Sequence, residues 1–207
     1  DYSYATMLFL KPDEIFRMDE SGALPDKGWL LAFHPELLFQ TSLKKHIKNY
    51  TFFSYRKEEA LHLSERETST IICCLENIKE ELYHPIDTHT ATILSHHIEL
   101  MLDYCTRFYE RQFITREDKN GTILMKFEEL SHNYIISGKL QGSKQPLSEY
   151  FACSLNLSAA YFNDLLKFET GKTLKEYIQL KQLEIAKHML LKTEKSPSVI
   201  AQQLGFT

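Results

Sequence analysis

Residues 146–171 read PLSEYFACSLNLSAAYFNDLLKFETG, and this stretch decides how the C-terminal part of the chain is expected to fold. Its first half carries Leu and aromatic residues at the spacing of a short helix that begins at Pro146. The apolar LNL at 155–157 interrupts that helix. Ser158 is typical of a helix N-cap and Gly171 of a helix end, so a second helix lies between them. Two short helices joined by a tight turn indicate a helix-turn-helix.

The second of these helices is the predicted contact with DNA, because a helix-turn-helix inserts it into the major groove of a duplex. Asn can bond an adenine edge through two hydrogen bonds, and small residues allow close approach to a thymine methyl group. Lys side chains suit the phosphates. The residues predicted to form the DNA-binding surface are Ser158, Ala159, Ala160, Tyr161, Asn163, Asp164, Lys167 and Lys172.

The charge of the whole chain argues against nucleic acid: 24 basic and 28 acidic residues among 207 give −4. Division of the chain at the polar loop 137–145 changes this picture. Residues 139–207 hold nine Lys, no Arg and six acidic residues, a balance of +3, which leaves −7 for residues 1–138. Charge therefore permits DNA binding by the C-terminal part but does not establish it.

Upstream, the first 55 residues carry the strand signals. Strands are predicted at 4–10, 28–34 and 50–55, which are rich in aromatic residues, Leu and Thr, with short helices between 36 and 48. So few strands would leave one face of a sheet uncovered, so we interpret them as the end of a β domain.

Two long helices follow, at about 67–82 and 88–112, and the short Pro-containing turn between them predicts an antiparallel hairpin. Ser64 and Glu67 match a capping box, Pro85 separates the helices, and Asp87 can cap the second. Apolar residues recur at alternating steps of four and three, as in a coiled-coil seam. Either these stripes pack on their own sheet or they form a dimer interface. The predicted interface residues are Ile71, Leu75, Ile78, Leu82, Leu94, Ile98, Met101 and Cys105.

Several motifs of the C-terminal part occur in a fixed order: LNLS at 155–158, YF at 161–162, ETGKT at 169–173, AKHML at 186–190 and IAQQLGF at 200–206. This order resembles the DNA-binding domain of AraC/XylS-type transcriptional regulators. The resemblance implies a first helix-turn-helix at 146–171, a connecting helix at 173–191 and a second helix-turn-helix that begins at 196. It also implies that the chain stops at Thr207, before the second recognition helix.

Three upstream stretches, GWLLAFHPELL at 28–38, FFSYRKEEALHLSERE at 52–67 and FYERQFIT at 108–115, are similar to regulators of this family that have an N-terminal cupin-like sensor domain. The expected organisation is then the end of that sensor at 1–113, with dimerisation helices at about 64–113, a linker at 114–122 and the DNA-binding domain at 123–207. The expected fold class is α+β, mostly helical. The resemblance implies a bacterial, cytoplasmic homodimer that binds double-stranded DNA and responds to an effector, here a fragment truncated at both ends.

Two other function classes stay open. Asp164 occupies a position where family members often have Arg or Gln. An acidic side chain there repels phosphate, which favours an adaptor whose helix-turn-helix no longer binds DNA. A cupin enzyme is the other, but the chain has no His-x-His pair, and the adjacent His96 and His97 point apart on a helix. We predict no catalytic residue, metal or cofactor, four reduced cysteines, and no membrane span, since no apolar run reaches about 18 residues.

Overall fold

The computed structural model describes residues 5–15, 28–141 and 147–206. The chain divides into two compact units, an N-terminal unit, Asp1–Gln112, and a C-terminal unit, Phe113–Thr207. The described residues are mostly helical and include one small sheet, so the predicted α+β, mostly helical class is correct.

The sheet of the described residues consists of β1, Ala5–Met7, paired antiparallel with β2, Leu61–Leu63. Strand β2 was not predicted. Within the predicted strand at 4–10, Tyr4 lies outside the described residues and the strand ends at Met7. The cupin-like domain stays a prediction.

The predicted strand at 50–55 is wrong, because Thr51–Ser54 forms a 3-10 helix. Phe52 and Phe53 both pack against the ring of Phe9, with centroids 4.3 and 5.5 Å from it. Successive side chains of a strand point to opposite faces, so a strand could not place both rings on the same neighbour. The tight helical turn does.

Residues 28–34, also predicted as a strand, have no regular secondary structure. Leu31 and Phe33 pack on the core of the N-terminal unit while Leu30 is exposed, so the period of two is present. The residues form no ladder with β1 or β2. The short helices predicted between 36 and 48 are confirmed, as Pro35–Leu38, α1 at Leu43–His46 and Ile47–Asn49.

Helices α2, Glu65–Glu81, and α3, Thr90–Thr115, are the long helices described in the N-terminal unit, and the last three residues of α3 belong to the C-terminal unit. The predicted capping box of α2 is present, and the Asp87 carboxylate accepts from the amides of His89 and Thr90 ahead of α3. Arg111, near the end of α3, binds Glu67, near the start of α2, through two hydrogen bonds of 3.0 and 2.7 Å. The two helices therefore run antiparallel, as predicted.

The Glu67 carboxylate makes the N-terminal unit sensitive to acid. Burial alone would raise the pKa of Glu67, but hydrogen bonds from the Ser64 amide and from Arg111 outweigh it and hold the pKa below its usual value. The stabilisation is complete above the unfolded pKa of about 4.3 and is lost as pH falls through the folded value.

We expect Glu67→Gln to cost about 1 kcal/mol at pH 7, since Arg111 is partly exposed, and to make unfolding less dependent on pH below 4.3. Urea unfolding at pH 7 and pH 3.5 measures both effects. Glu65→Gln, at an exposed position two residues earlier, should behave like the wild type. An unchanged acid response in Glu67→Gln would contradict this role.

The predicted dimerisation residues require a correction. Seven of the eight are buried within the N-terminal unit, and only Leu82 is exposed, at 64%. The seven side chains belong to the core of this unit: Ile71, Leu75, Ile78, Leu94, Ile98, Met101 and Cys105. The stripes therefore pack within their own unit, which was the alternative, and a second chain could reach these seven only if the core opened.

The C-terminal unit contains α4, Glu117–Ile136, α5, Leu147–Ser154, α6, Ala159–Thr170, α7, Leu174–Lys192, and α8, Pro197–Leu204. The linker predicted at 114–122 is helical except at Arg116, and α4 begins six residues earlier than the expected 123. Polar residues suggested a loop, but Glu117 and Asp118 favour the first turn of a helix. Pro146 and Thr207 lie outside the described residues.

Phe127 is the centre of the core of this unit. Its ring lies 5.1 Å from Phe151, 5.0 Å from Phe162 and 5.0 Å from Tyr177, so it joins α4 to α5, α6 and α7. The rings of α5 and α6 meet it edge to face, an arrangement that aromatic quadrupoles favour. This packing holds the two short helices of the candidate site against α4.

The four cysteines are free thiols that differ in exposure. Cys73 and Cys153 are exposed, whereas Cys74 and Cys105 are buried in the N-terminal unit. Burial raises the pKa of Cys105 to about 12, so this thiol stays protonated at neutral pH.

Candidate DNA-binding surface

The turn between α5 and α6 has the hydrogen bonds of a Schellman motif. The amide of Leu157 donates to the carbonyl of Ala152 at 2.8 Å, and the amide of Asn156 donates to that of Cys153 at 3.1 Å. Asn156 has a φ of +57°, a left-handed conformation that Asn tolerates better than most residues. The turn ends α5 within a few residues and reverses the chain into α6.

Both ends of α6 are capped as predicted. The Ser158 hydroxyl accepts a hydrogen bond from the amide of Tyr161 at 3.1 Å. Gly171 ends the helix at a φ of +68°, and its amide donates to the carbonyl of Lys167. A residue with a Cβ would be strained at this φ. The α6 helix thus has fixed ends and a defined buried side.

Six of the eight predicted DNA-binding residues keep some exposure. Ala159, Ala160, Asn163 and Asp164 are half-buried and Lys167 is exposed, and their spacing of three or four residues places them on one side of α6. Lys172 is half-buried just beyond the helix.

The other two predicted residues face the interior. Tyr161 is 3% exposed, and its ring lies 5.3 Å from Phe113, so it cannot reach a base without leaving the core. Ser158 is buried, and its hydroxyl is engaged at the N-cap. Both residues build the helix that presents the surface, so we correct their role from contact to support.

Two lysines give the far end of α6 its positive charge. The hydrogen bonds from Thr173 are the main reason that the pKa of Glu176 lies below its ordinary value, and the nearby charges of Lys172 and Lys167 add to the effect. Lys172 also donates to the carbonyl of Thr170 at 3.2 Å. Both cations therefore lie in the neighbourhood of the Glu176 carboxylate.

Lys181, on α7, is occupied elsewhere. Its ammonium lies 2.7 Å from the Glu128 carboxylate and 3.1 Å from that of Glu184. The hydrogen bond to Glu128 is the main cause of the raised pKa of Lys181. This lysine therefore joins α7 to α4.

The Schellman hydrogen bonds recur at the end of α8. The amide of Phe206 donates to Ala201 at 3.0 Å, that of Gly205 to Gln202 at 3.3 Å, and Gly205 has a φ of +79°. The pattern Ala-x-x-Leu followed by a left-handed residue and an apolar one is shared by 152–157 and 201–206. The end of α8 therefore repeats the geometry that turns α5 into α6.

Gln182 supports this second turn. Its side chain is buried on α7 and donates to the carbonyl of Leu204 at 2.8 Å. In this chain the neutral amide satisfies a carbonyl at the end of α8, which would otherwise lack an intrahelical partner.

Sequence reasoning missed two further residues that bear on α6. Phe113 contacts Tyr161 and also Phe168, whose ring lies 5.4 Å away. Asn120 is buried in the segment predicted as a linker. A signal was available, because Asn120 precedes Leu124, Phe127, Ser131 and Tyr134 at steps of four and three.

No group of three or more His, Cys, Asp and Glu side chains among residues 5–15, 28–141 and 147–206 is placed to hold a metal ion. Within the same residues, we find no helix with the length and apolar character needed to span a membrane.

Comparison with known proteins agrees with the geometry of α5 to α8. A family model described as a helix-turn-helix domain, of the AraC type, matches residues 151–207. The match covers less than half of the chain and supports a DNA-binding regulator. It begins in α5 and leaves the N-terminal unit unmatched. No curated protein and no solved structure matches the chain.

Proposed function

We propose that the chain is a sequence-specific DNA-binding transcriptional regulator that acts in the cytoplasm. The observation that carries the proposal is the capped α5–α6 pair, whose Schellman turn fixes the direction of α6 and leaves one side of it accessible. The repeat of that turn after α8 supports a second, similar motif.

The exposed side of α6 suggests a role for each residue. Asn163 reads a base edge, with adenine as its preferred partner. Ala159 and Ala160 let the helix approach the groove closely, and Lys167 and Lys172 bind phosphates. Asp164 accepts a hydrogen bond from a cytosine amino group and repels the backbone.

The N-terminal unit is the proposed sensor and dimerisation part. A ligand or signal acts on it and alters how two DNA-binding units are presented by a homodimer. Among the predicted interface residues, Leu82 is the one whose side chain a second chain can reach in the closed fold, and Tyr83 and Ile86 beside it are also exposed. Light scattering of the wild type and of Leu82→Glu tests this part of the proposal.

The salt dependence of DNA binding tests the function directly. A random duplex pool enriched by the wild-type chain serves as the probe, and the logarithm of the affinity is measured against the logarithm of the salt concentration. We expect a clearly negative slope that becomes shallower by about 0.9 for each phosphate contact removed, as in Lys167→Ala. A slope near zero in the wild type would overturn the proposal and favour an adaptor, the function that Asp164 on α6 would suit.

Lys181→Ala is the matched control for Lys167→Ala. Both remove one lysine from the C-terminal unit, but Lys181 is bound by Glu128 and Glu184. The control should keep the wild-type slope. Equal slopes in the two variants would mean that Lys167 contacts no phosphate.

A further inference from the structure

A buried amide in the C-terminal unit joins α4 and α6 to the last turn of α3, where this unit begins. Asn120 lies in the first turn of α4 and is 1% exposed. Its Nδ2 donates to the carbonyl oxygen of Phe113 at 2.8 Å and to Oε1 of Glu169 at 3.2 Å. Phe113 belongs to the last turn of α3, and Glu169 to the last turn of α6.

The two acceptors need a side chain that can donate two hydrogen bonds, and the amide of Asn120 provides them. A main-chain carbonyl and a carboxylate both need donors, and the NH₂ group of Asn supplies one hydrogen to each. The carbonyl of Phe113 is at a helix end, where it accepts a 3.3 Å hydrogen bond from the Arg116 amide, and the side chain of Asn120 adds a shorter one of 2.8 Å. The bond to the carboxylate is charge-assisted and therefore stronger than one between neutral groups.

Ring contacts strengthen the same connection. Phe113 packs against Tyr161 in the first turn of α6 and against Phe168 near its end. The end of α3 thus meets α6 at both of its ends, with Asn120 holding the backbone of Phe113 in place. A displacement of this last turn of α3 would move α6 with it.

We propose that Asn120 is a positioning residue for DNA recognition, which fixes the pose of α6 against the end of α3. This inference rests on the proposed function and adds a point of control to it. Asn120 touches no base or phosphate in this scheme and acts only through α6. Loss of its two hydrogen bonds loosens α6 and changes which bases its exposed side selects.

Asn120→Ala and Asn133→Ala form the central comparison, because both shorten an Asn of α4 and Asn133 is exposed. Affinity and base preference are measured with the duplex pool enriched by the wild type, and amide hydrogen exchange is followed in α6 and α7. We expect Asn120→Ala to bind about tenfold more weakly, as for a lost buried hydrogen bond, with a broadened base preference and faster exchange in α6 than in α7. Asn133→Ala should match the wild type.

Variants of Glu169 test the mechanism without touching Asn120. Glu169→Gln keeps an acceptor oxygen and should retain the base preference, whereas Glu169→Ala should reproduce part of the Asn120→Ala defect. The double variant Asn120→Ala/Glu169→Ala should lose less DNA affinity than the product of the fold-losses of the two single variants. The reason is that both single changes remove the same hydrogen bond. If the fold-loss of affinity in the double variant equals the product of the two single losses, Asn120 and Glu169 do not act through a shared bond.

The outcomes separate this proposal from the proposed function. If the wild type binds no duplex, the function fails, and the exchange experiment alone decides whether Asn120 orders α6. If Asn120→Ala does not fold, the test rests on Glu169→Ala. A Glu169→Ala chain with the hydrogen exchange and base preference of the wild type overturns the proposal. Wild-type affinity, preference and α6 exchange in a folded Asn120→Ala overturn it outright.

Discussion

Phe127→Ala should destabilise the C-terminal unit by about 3–5 kcal/mol and abolish DNA binding at concentrations where the wild type binds. Phe127 is fully buried, and its ring contacts Phe151, Phe162 and Tyr177 on three different helices. Removal of the ring leaves a cavity that the surrounding helices cannot fill without tilting. Since α5 and α6 are held to α4 by this ring, the geometry of the turn between them depends on it.

Urea unfolding followed by far-UV circular dichroism, with hydrogen exchange in α5 to α7, measures the loss. Phe127→Leu keeps much of the volume and should cost less than the Ala variant. Leu191→Ala, at a position that is 87% exposed in the same unit, is the control and should change stability by less than about 0.5 kcal/mol. A Phe127→Ala chain as stable as this control would show that the core is arranged differently.

Met101→Ala should destabilise the N-terminal unit by about 2–5 kcal/mol, because Met101 is buried among the side chains of α2 and α3. The sequence alone suggested instead that Met101 lies at a dimer interface. The two roles predict different measurements. A core role lowers the unfolding midpoint at every protein concentration, whereas an interface role makes the loss depend on concentration.

Trp29, the one Trp of the chain, lies in the N-terminal unit beside Lys79, so its fluorescence follows the unfolding of that unit. Leu100→Ala is the matched control, since Leu100 precedes Met101 on α3 but is 48% exposed. It should leave the midpoint unchanged within about 0.5 kcal/mol. A folded, fully stable Met101→Ala chain that has merely become monomeric would restore the interface interpretation.

The C-terminal helices could be predicted closely because their signals are local. Ser158 and Gly171 mark the ends of α6 through hydrogen bonds that reach only three or four residues along the chain. The turn at 155–157 depends in the same way on its own amides. Such features are determined within about ten residues and require no knowledge of the tertiary fold.

The front of the chain could not be predicted as well, since its structure depends on distant partners. A strand needs a neighbour, and β1 found one in β2, more than fifty residues away. Phe52 and Phe53 look like strand residues until Phe9 is placed beside both of them. Aromatic content indicates burial but does not determine the backbone that achieves it.

In the candidate site, too, the roles of single residues that depend on distant partners could not be predicted. Asn163 and Lys167 could be selected from type and spacing, whereas Tyr161 was assigned to DNA although it packs on Phe113. Asn120 was missed because a polar residue in a polar stretch suggests a loop. Its function depends on two acceptors that the sequence separates from it by 7 and 49 positions.

The exposure of the four thiols allows the unfolding of the N-terminal unit to be followed by cysteine labelling. One exposed cysteine lies in each unit, at Cys73 and Cys153, and both buried ones lie in the N-terminal unit. A thiol-specific alkylating reagent adds two labels to the native chain and four once the N-terminal unit has opened. Mass spectrometry therefore counts opening events of that unit in the unmodified sequence, without a dye, a tag or a substitution.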